Sequence, residues 1–259
     1  MEECYDALLK ITDRRSPEAR GLYRLLNDYM TGGQWISDYE ADEQGLLPPS
    51  LKRGVLSQDG LYTLLGEFAE DDDMEKILFI NACVRDDSRT LKLAEHALSR
   101  VEGNITRRDL GELGLMPLDR ALLARRDSLL AAGDTGDEML SLAREFAGAD
   151  RIVIAAPYWD LAFPALLKIY LEHITVSGVT FEYVDGVPHG LCRAKQLVYV
   201  TTAGGPIFAN FGYDYVKTLA NVFYGISDTA FFAAEGLDVY CADVDGILAA
   251  ATAQIDAEI

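Results

Sequence analysis

The chain has 259 residues, nearly half of them hydrophobic, which is enough for one large domain or two of unequal size and excludes disorder throughout. Its 42 acidic residues outnumber 23 basic ones, and the formal charge of −19 repels phosphate backbones and leaves no broad basic surface for nucleic acid. Cys4, Cys83, Cys192 and Cys241 lack Cys-x-x-Cys spacing, no cationic-then-apolar leader opens the chain, and no apolar run approaches the roughly 18 residues of a membrane helix; a soluble protein of the reducing cytoplasm is expected.

From Cys4 to Met30 the pattern is that of an amphipathic helix, with Tyr5, Leu8, Leu9, Tyr23, Leu26 and Met30 on its apolar faces, broken or restarted at Ser16-Pro17. After Thr31-Gly32-Gly33 come Gln34-Trp35-Ile36, an acidic patch from Asp38 to Glu43, Pro48-Pro49, and a helical run from Ser57 to Phe68. Residues 1–72 are expected to form a small acidic helical domain, and Asp71-Asp72-Asp73 a solvated hinge. Residues 1–73 hold 16 acidic and 7 basic side chains, leaving 26 and 16 for the rest, so each part is acidic by itself.

Beyond Glu75, apolar strand patterns alternate with helical ones, which predicts a second domain over 75–259 with a parallel sheet covered on both faces. Ile77 to Ala82 is the first strand, Arg89 to Val101 a helix, Asn104 to Thr106 a short weak strand, and Glu138 to Phe146 a helix. Ile152 to Ala156 carries no charge, as a central strand buried on both sides should, and Pro157 ends it. Gln196 to Thr201 and Thr229 to Ala234 are two more strands, with helices near Pro164 to Ile174, Asp214 to Phe223 and Val244 to Ala257. Five strands with interleaved helices suit a flavodoxin-like sheet of order 2-1-3-4-5. The segment Asp109 to Thr135 is long for a simple connection and is read as a mobile flap over a site, and Val176 to His189 as an inserted hairpin.

In such a sheet, ligands bind beyond the C-terminal strand ends where strand order reverses, between the first and third strands. Three loops should therefore converge. The first, Cys83 to Thr90, offers the hydroxyls of Ser88 and Thr90 and the charges of Arg85 and Arg89 at a helix N-terminus, a setting for a phosphate monoester; Ser88 as a plain helix cap is the bland alternative. The second, Pro157-Tyr158-Trp159-Asp160-Leu161, presents two aromatics and a carboxylate. The third, Thr201-Thr202-Ala203-Gly204-Gly205, lets backbone approach a flat ring closely. Together they can sandwich an isoalloxazine. The absence of Gly-x-Gly-x-x-Gly and of Gly-x-x-x-x-Gly-Lys-Ser/Thr disfavours a dinucleotide Rossmann site and a P-loop.

Ile77 to Arg85, Ala155 to Trp159, Leu166 to Tyr170, Gly178 to Phe181, Thr202 to Gly205 and Ala234-Glu235-Gly236 resemble the flavodoxin-like NAD(P)H-dependent quinone reductases and FMN-dependent azoreductases over nearly everything after residue 75. The resemblance implies FMN as cofactor, NADH or NADPH as reductant, a quinone, azo compound or similar acceptor, and a homodimer with active sites at its interface. It implies that Ser88 to Thr90 hold the FMN phosphate, with Cys83 and Arg85 in the same loop, that Pro157 and Tyr158 to Leu161 border the ring, and that Thr202 to Gly205 line its pyrimidine side. The family often has serine where Cys83 stands and Asn-Phe in place of Asp160-Leu161. Gln34-Trp35, Asp38 to Glu40, Pro48 to Leu51 and Lys52 to Ser57 resemble a small acidic bacterial domain family of unknown function, which supplies no reaction but suits a module for an unknown protein partner.

His96, His173 and His189 have no metal-ligand spacing, and no metal is assigned. A thiol at a helix N-terminus, such as Cys83, can have a depressed pKa, but no paired Cys or nearby His supports nucleophilic catalysis. The leading expectation is a two-electron oxidoreductase working by a ping-pong hydride mechanism. The alternative is a flavodoxin-type one-electron carrier, which the inserted hairpin and flap disfavour.

Overall fold

The computed structural model describes residues 1–11, 16–48 and 50–259, and of residues 17, 20 and 67–73 the backbone alone. They divide into two compact units, Met1–Met74 and Glu75–Ile259. The first is helical, with α1 (Glu2–Leu8), α2 (Pro17–Thr31), α3 (Gln34–Glu43) and α4 (Gln58–Asp73). Ser16 caps α2, its Oγ accepting from the Ala19 amide at 3.1 Å, and Pro17 at the first helical position needs no N–H partner. The part of the first expected helix at 12–15 and the second proline of Pro48-Pro49 lie outside the described residues.

Leu8, Leu26, Trp35, Val55 and Leu61 form the core of this unit, with Tyr23 and Met30 packed at its edge, whereas Leu9 is exposed. Trp35 Nε1 donates to the Val55 carbonyl at 2.9 Å, and the Glu2 carboxylate accepts from the Gly54 and Val55 amides, so the polar groups around that core are paired. Where a hinge is expected, Asp71 to Asp73 form the last turn of α4.

The second unit runs β1 (Lys76–Asn81), α5 (Arg89–Ser99), β2 (Asn104–Asp109), α6 (Arg120–Ala131), α7 (Ser141–Gly148), β3 (Arg151–Ala155), α8 (Ala165–Ile174), β4 (Phe181–Val184), β5 (Val187–Gly190), β6 (Gln196–Thr202), α9 (Tyr213–Leu219), β7 (Asp228–Ala234) and α10 (Val244–Glu258). A five-stranded parallel sheet has the order β2-β1-β3-β6-β7; counted within the sheet alone, this is the expected 2-1-3-4-5. Its residues alternate faces. Leu78, Ile80, Ile152, Ile154, Leu197 and Tyr199 join one core with Phe146 of α7 and Leu167, Tyr170 and Leu171 of α8. Ile77, Phe79, Val153, Ala155, Val198 and Val200 join the other, with Leu93, Ala94 and Ala97 of α5 and Ile255 of α10.

The weak strand β2, at the sheet edge, extends to Asp109, beyond the expected Thr106, because it pairs along the full length of β1, from Lys76 with Asn104 to Asn81 with Asp109. Its charges serve opposite faces, Arg107 pairing with Glu95 of α5 and Arg108 with Glu145 of α7. The expected flap is a docked segment instead. Leu113, Leu115 and Leu130 pack on the first core, His173 Nε2 of α8 lies 2.8 Å from the Met116 carbonyl, and Arg126 donates to the Glu172 carbonyl.

The β4–β5 hairpin forms as expected, and Gly190 at its end meets the turn after the π-helical Ala220–Tyr224. A Cβ on Gly190 would stand 2.1 Å from Gly225 N and Tyr224 C. Gly190→Ala should therefore lose about 1–3 kcal/mol, the usual cost of overpacking against an unyielding neighbour. An unchanged urea midpoint would show that the hairpin yields freely.

Candidate functional site

The loops after β1, β3 and β6 meet at the C-terminal edge of the sheet around a cavity of about 380 Å³. Of the residues expected there, Arg85, Ser88, Arg89, Thr90, Pro157, Tyr158, Trp159, Thr202 and Gly204 line it; Cys83, Asp160, Leu161, Ala203 and Gly205 do not. Val84, Asp87 and Asp238 line it as well. Asp238 belongs to a fourth loop, after β7, whose position follows once β7 is placed beside β6.

Ser88 does cap α5, its Oγ accepting from the Leu91 amide at 3.2 Å. The amides of Arg89 and Thr90, at the start of the 11-residue helix, have no acceptor among the described residues. Thr90, 1% exposed, places its Oγ1 2.6 Å from Thr202 Oγ1, so this hydroxyl pair ties the first loop to the third. Arg89 donates to Asp238 Oδ1 at 2.7 Å and to the Leu237 carbonyl at 3.2 Å, which ties the first loop to the fourth. Arg85 is exposed; its carbonyl accepts from the Ser88 amide at 3.2 Å, and its guanidinium has no hydrogen-bond or ion-pair partner among the described residues.

In the second loop, the Tyr158 amide donates to the Thr202 carbonyl at 3.0 Å and its hydroxyl to the Ala209 carbonyl at 2.8 Å. Trp159 and Ala162 exchange backbone bonds around Asp160 (φ 50°) and Leu161 (φ 67°). A two-residue turn with both central residues left-handed favours Asn or Asp first and glycine second, so Leu161 is the strained position. The Phe211 amide, donating to the Leu161 carbonyl at 3.1 Å, helps to hold it. Trp159, Leu161, Phe208 and Phe211 are left exposed around this turn.

Cys83 is buried in the second core, its amide donating to Asn81 Oδ1 at 2.9 Å while Asn81 Nδ2 donates to Asp109. Burial, aided by the Asp109 charge and opposed by a hydrogen bond with Ser88, pushes the thiol up to about 11, opposite to the depressed value a helix N-terminus can produce. His96 pairs with Asp256 and His189 is exposed on the hairpin. Among the described residues no cluster of His, Cys, Asp and Glu could hold a metal, and no helix is long and apolar enough to cross a membrane.

The sheet order and the cavity at its switch point define a flavodoxin-like α/β protein. Residues 75–259 match the family described as Flavodoxin-like fold, and residues 1–76 match a domain of unknown function, DUF4298. An FMN-dependent NADH:quinone oxidoreductase 2 of Clostridium acetobutylicum is 34% identical over 187 residues, covering 68% of this chain and 93% of the relative. An FMN-dependent NADH:quinone oxidoreductase of Lachnoclostridium phytofermentans is 36% identical over 184 residues, 66% of this chain and 91% of the relative. The crystal structure of an FMN-dependent NADH-azoreductase from Bacillus anthracis, in complex with FMN, shares the fold with a TM-score of 0.61 at 22% identity, over 71% of this chain and 97% of that one. The chain belongs to the flavodoxin-like family of FMN-dependent NADH:quinone oxidoreductases, joined to an N-terminal domain of unknown function.

The Cys83 thiol yields a pH dependence whose sign is set by burial. A folded pKa above the unfolded one means that the native state holds the proton more tightly, so the stabilisation is complete below about pH 9 and is lost as pH rises through about 11. Urea midpoints measured across that range should fall more steeply for the wild type than for Cys83→Ser. Equal slopes would mean that the thiol does not titrate differently on folding.

Proposed function

We propose that the second unit is an FMN-dependent NADH:quinone oxidoreductase, with azo compounds as further acceptors, and that the cavity at the C-terminal sheet edge is its flavin site. One observation supports the reading: the amides of Arg89 and Thr90, without acceptors among the described residues, the Ser88 hydroxyl and the unpaired Arg85 guanidinium converge on one cavity. This donor set fits a phosphate, because a helix N-terminus with a guanidinium beside it stabilises an anion by charge-assisted hydrogen bonds. The cavity is within the range of pockets that hold a cofactor-sized ligand.

FMN, when bound, would supply the redox chemistry: hydride acceptance from NADH and two-electron reduction of the acceptor, in separate, ping-pong half-reactions. The chain's own residues bind and orient. Arg85, Ser88 and the start of α5 hold the phosphate end. Pro157, Tyr158 and Trp159 border the ring and Thr202 and Gly204 line its other edge, with Ala203 and Gly205 holding that loop from behind and Asp160 and Leu161 setting the turn that presents Trp159. Cys83 packs beneath the first loop.

Reconstituted protein should be yellow and should reduce menadione with NADH; failure to bind FMN would sink the assignment. Arg85→Gln should weaken FMN about tenfold, the worth of one charge-assisted bond, and leave riboflavin unaffected, as read by flavin fluorescence quenching.

The exposed Trp159, Leu161, Phe208 and Phe211 beside the cavity support a homodimer with the sites near its interface. Four free cysteines suit a reducing cytoplasm. The N-terminal unit, with its own core, is proposed as a separate module for a protein partner. A chain lacking residues 1–73 should then keep FMN binding and a dimer mass by light scattering. Loss of either would show that the module is part of the enzyme.

A further inference from the structure

We infer that Asp238 is a specificity-determining residue that competes with the flavin phosphate for Arg89, an inference that rests on the FMN reading above. Both ends of the Arg89 guanidinium are taken by one segment, Nη1 by the Leu237 carbonyl at 3.2 Å and Nη2 by Asp238 Oδ1 at 2.7 Å. That segment is anchored. The amides of Gly236, Leu237 and Asp238 donate in succession to the carbonyls of Gly205, Ala203 and Gly204, at 3.1, 3.1 and 2.8 Å. Gly204 leaves room for the carboxylate, since a Cβ there would stand 2.3 Å from Asp238 Oδ2.

Arg89, Asp238 and Ser88 all line the cavity. An entering dianion therefore gains Arg85 outright, but gains Arg89 only by drawing it from a fixed carboxylate that also repels the phosphate. The ion pair is too exposed to matter greatly to the fold, with side-chain exposures of 34% for Arg89 and 67% for Asp238. Its consequence falls on the ligand. Asp238 lowers the preference of the site for FMN over uncharged riboflavin and keeps the cofactor exchangeable.

Dissociation constants of FMN and riboflavin, measured by fluorescence quenching on the full chain, test this directly. Asp238→Asn should tighten FMN about fivefold, the factor that an exposed ion pair near the top of its range represents, and leave riboflavin unchanged. Asp238→Ser should do the same, which separates loss of charge from the geometry of the new side chain. In an Arg89→Gln background the effect should shrink below about twofold, because the contested group is gone. An FMN constant that is unchanged or weakened, or an equal change for both flavins, overturns the inference. Wild-type protein that binds neither flavin removes the FMN reading and this inference together, whereas binding without an Asp238 effect removes this inference alone.

Discussion

The cavity depends on the parallel ladder between β1 and β3, two strands adjacent in the sheet whose connections lead the chain in opposite directions. Asn81, Ala155, Val200 and Phe232 stand in one register across β1, β3, β6 and β7, so four loops leave the sheet at one level. The ladder also continues past the strands. Ala82 donates to the Ala155 carbonyl, Ala156 to Val200, Tyr158 to Thr202 and Ala203 to Ala234. Pro157 interrupts it on the side facing β1, where β1 has already turned away into the first loop. A residue without an N–H is tolerated there because a donor at that position would have no strand to meet.

With the loops at one level, a few polar contacts lock them together. The Thr90–Thr202 hydroxyl pair joins the first loop to the third, Arg89 and Asp238 join the first to the fourth, and Tyr158 reaches the stretch before α9. None of these contacts lies within a helix or strand ladder, yet together they fix the cavity walls, so that a ligand there would need little ordering on binding. The strained Asp160-Leu161 turn belongs to the same arrangement. Its left-handed backbone is held from two directions, by the Trp159–Ala162 bonds and by Phe211.

The architecture was legible because its signals are periodic or punctuating. Uncharged Ile152 to Ala156 reads as a central strand, Ser16-Pro17 as a helix start, and the strand count with its interleaved helices as the observed order. Single-residue partnerships were less legible. Thr90 reads as a phosphate donor but pairs with a hydroxyl 112 residues away, and Asp238 enters the cavity only through the pairing of β6 with β7. Cys83 shows the same limit, because burial beneath the loop outweighs the helix N-terminus in setting its proton affinity. The segment from Asp109 to Thr135 reads as a flap because its composition is mixed, and only its contacts with α8 reveal that it is docked. The acidic run at Asp71 to Asp73 reads as a hinge from charge alone, yet α4 carries on through it.

A chain of net charge −19 faces an evident difficulty in holding an anionic cofactor and receiving an anionic reductant. Long-range attraction is not available, so on the proposed assignment capture would come from contacts made within a few ångströms, where a helix N-terminus and one unpaired guanidinium outweigh a diffuse field screened by salt over about 8–10 Å. The local balance is fine. Arg85 and Arg89 share the cavity lining with Asp87 and Asp238, two charges of each sign, so on the proposed assignment the backbone amides of α5 would tip the site toward an anion. This arrangement favours a ligand that presents its phosphate at one spot over polyanions that need an extended basic surface. The same acidity that disfavours nucleic acid would thereby narrow what the cavity can hold.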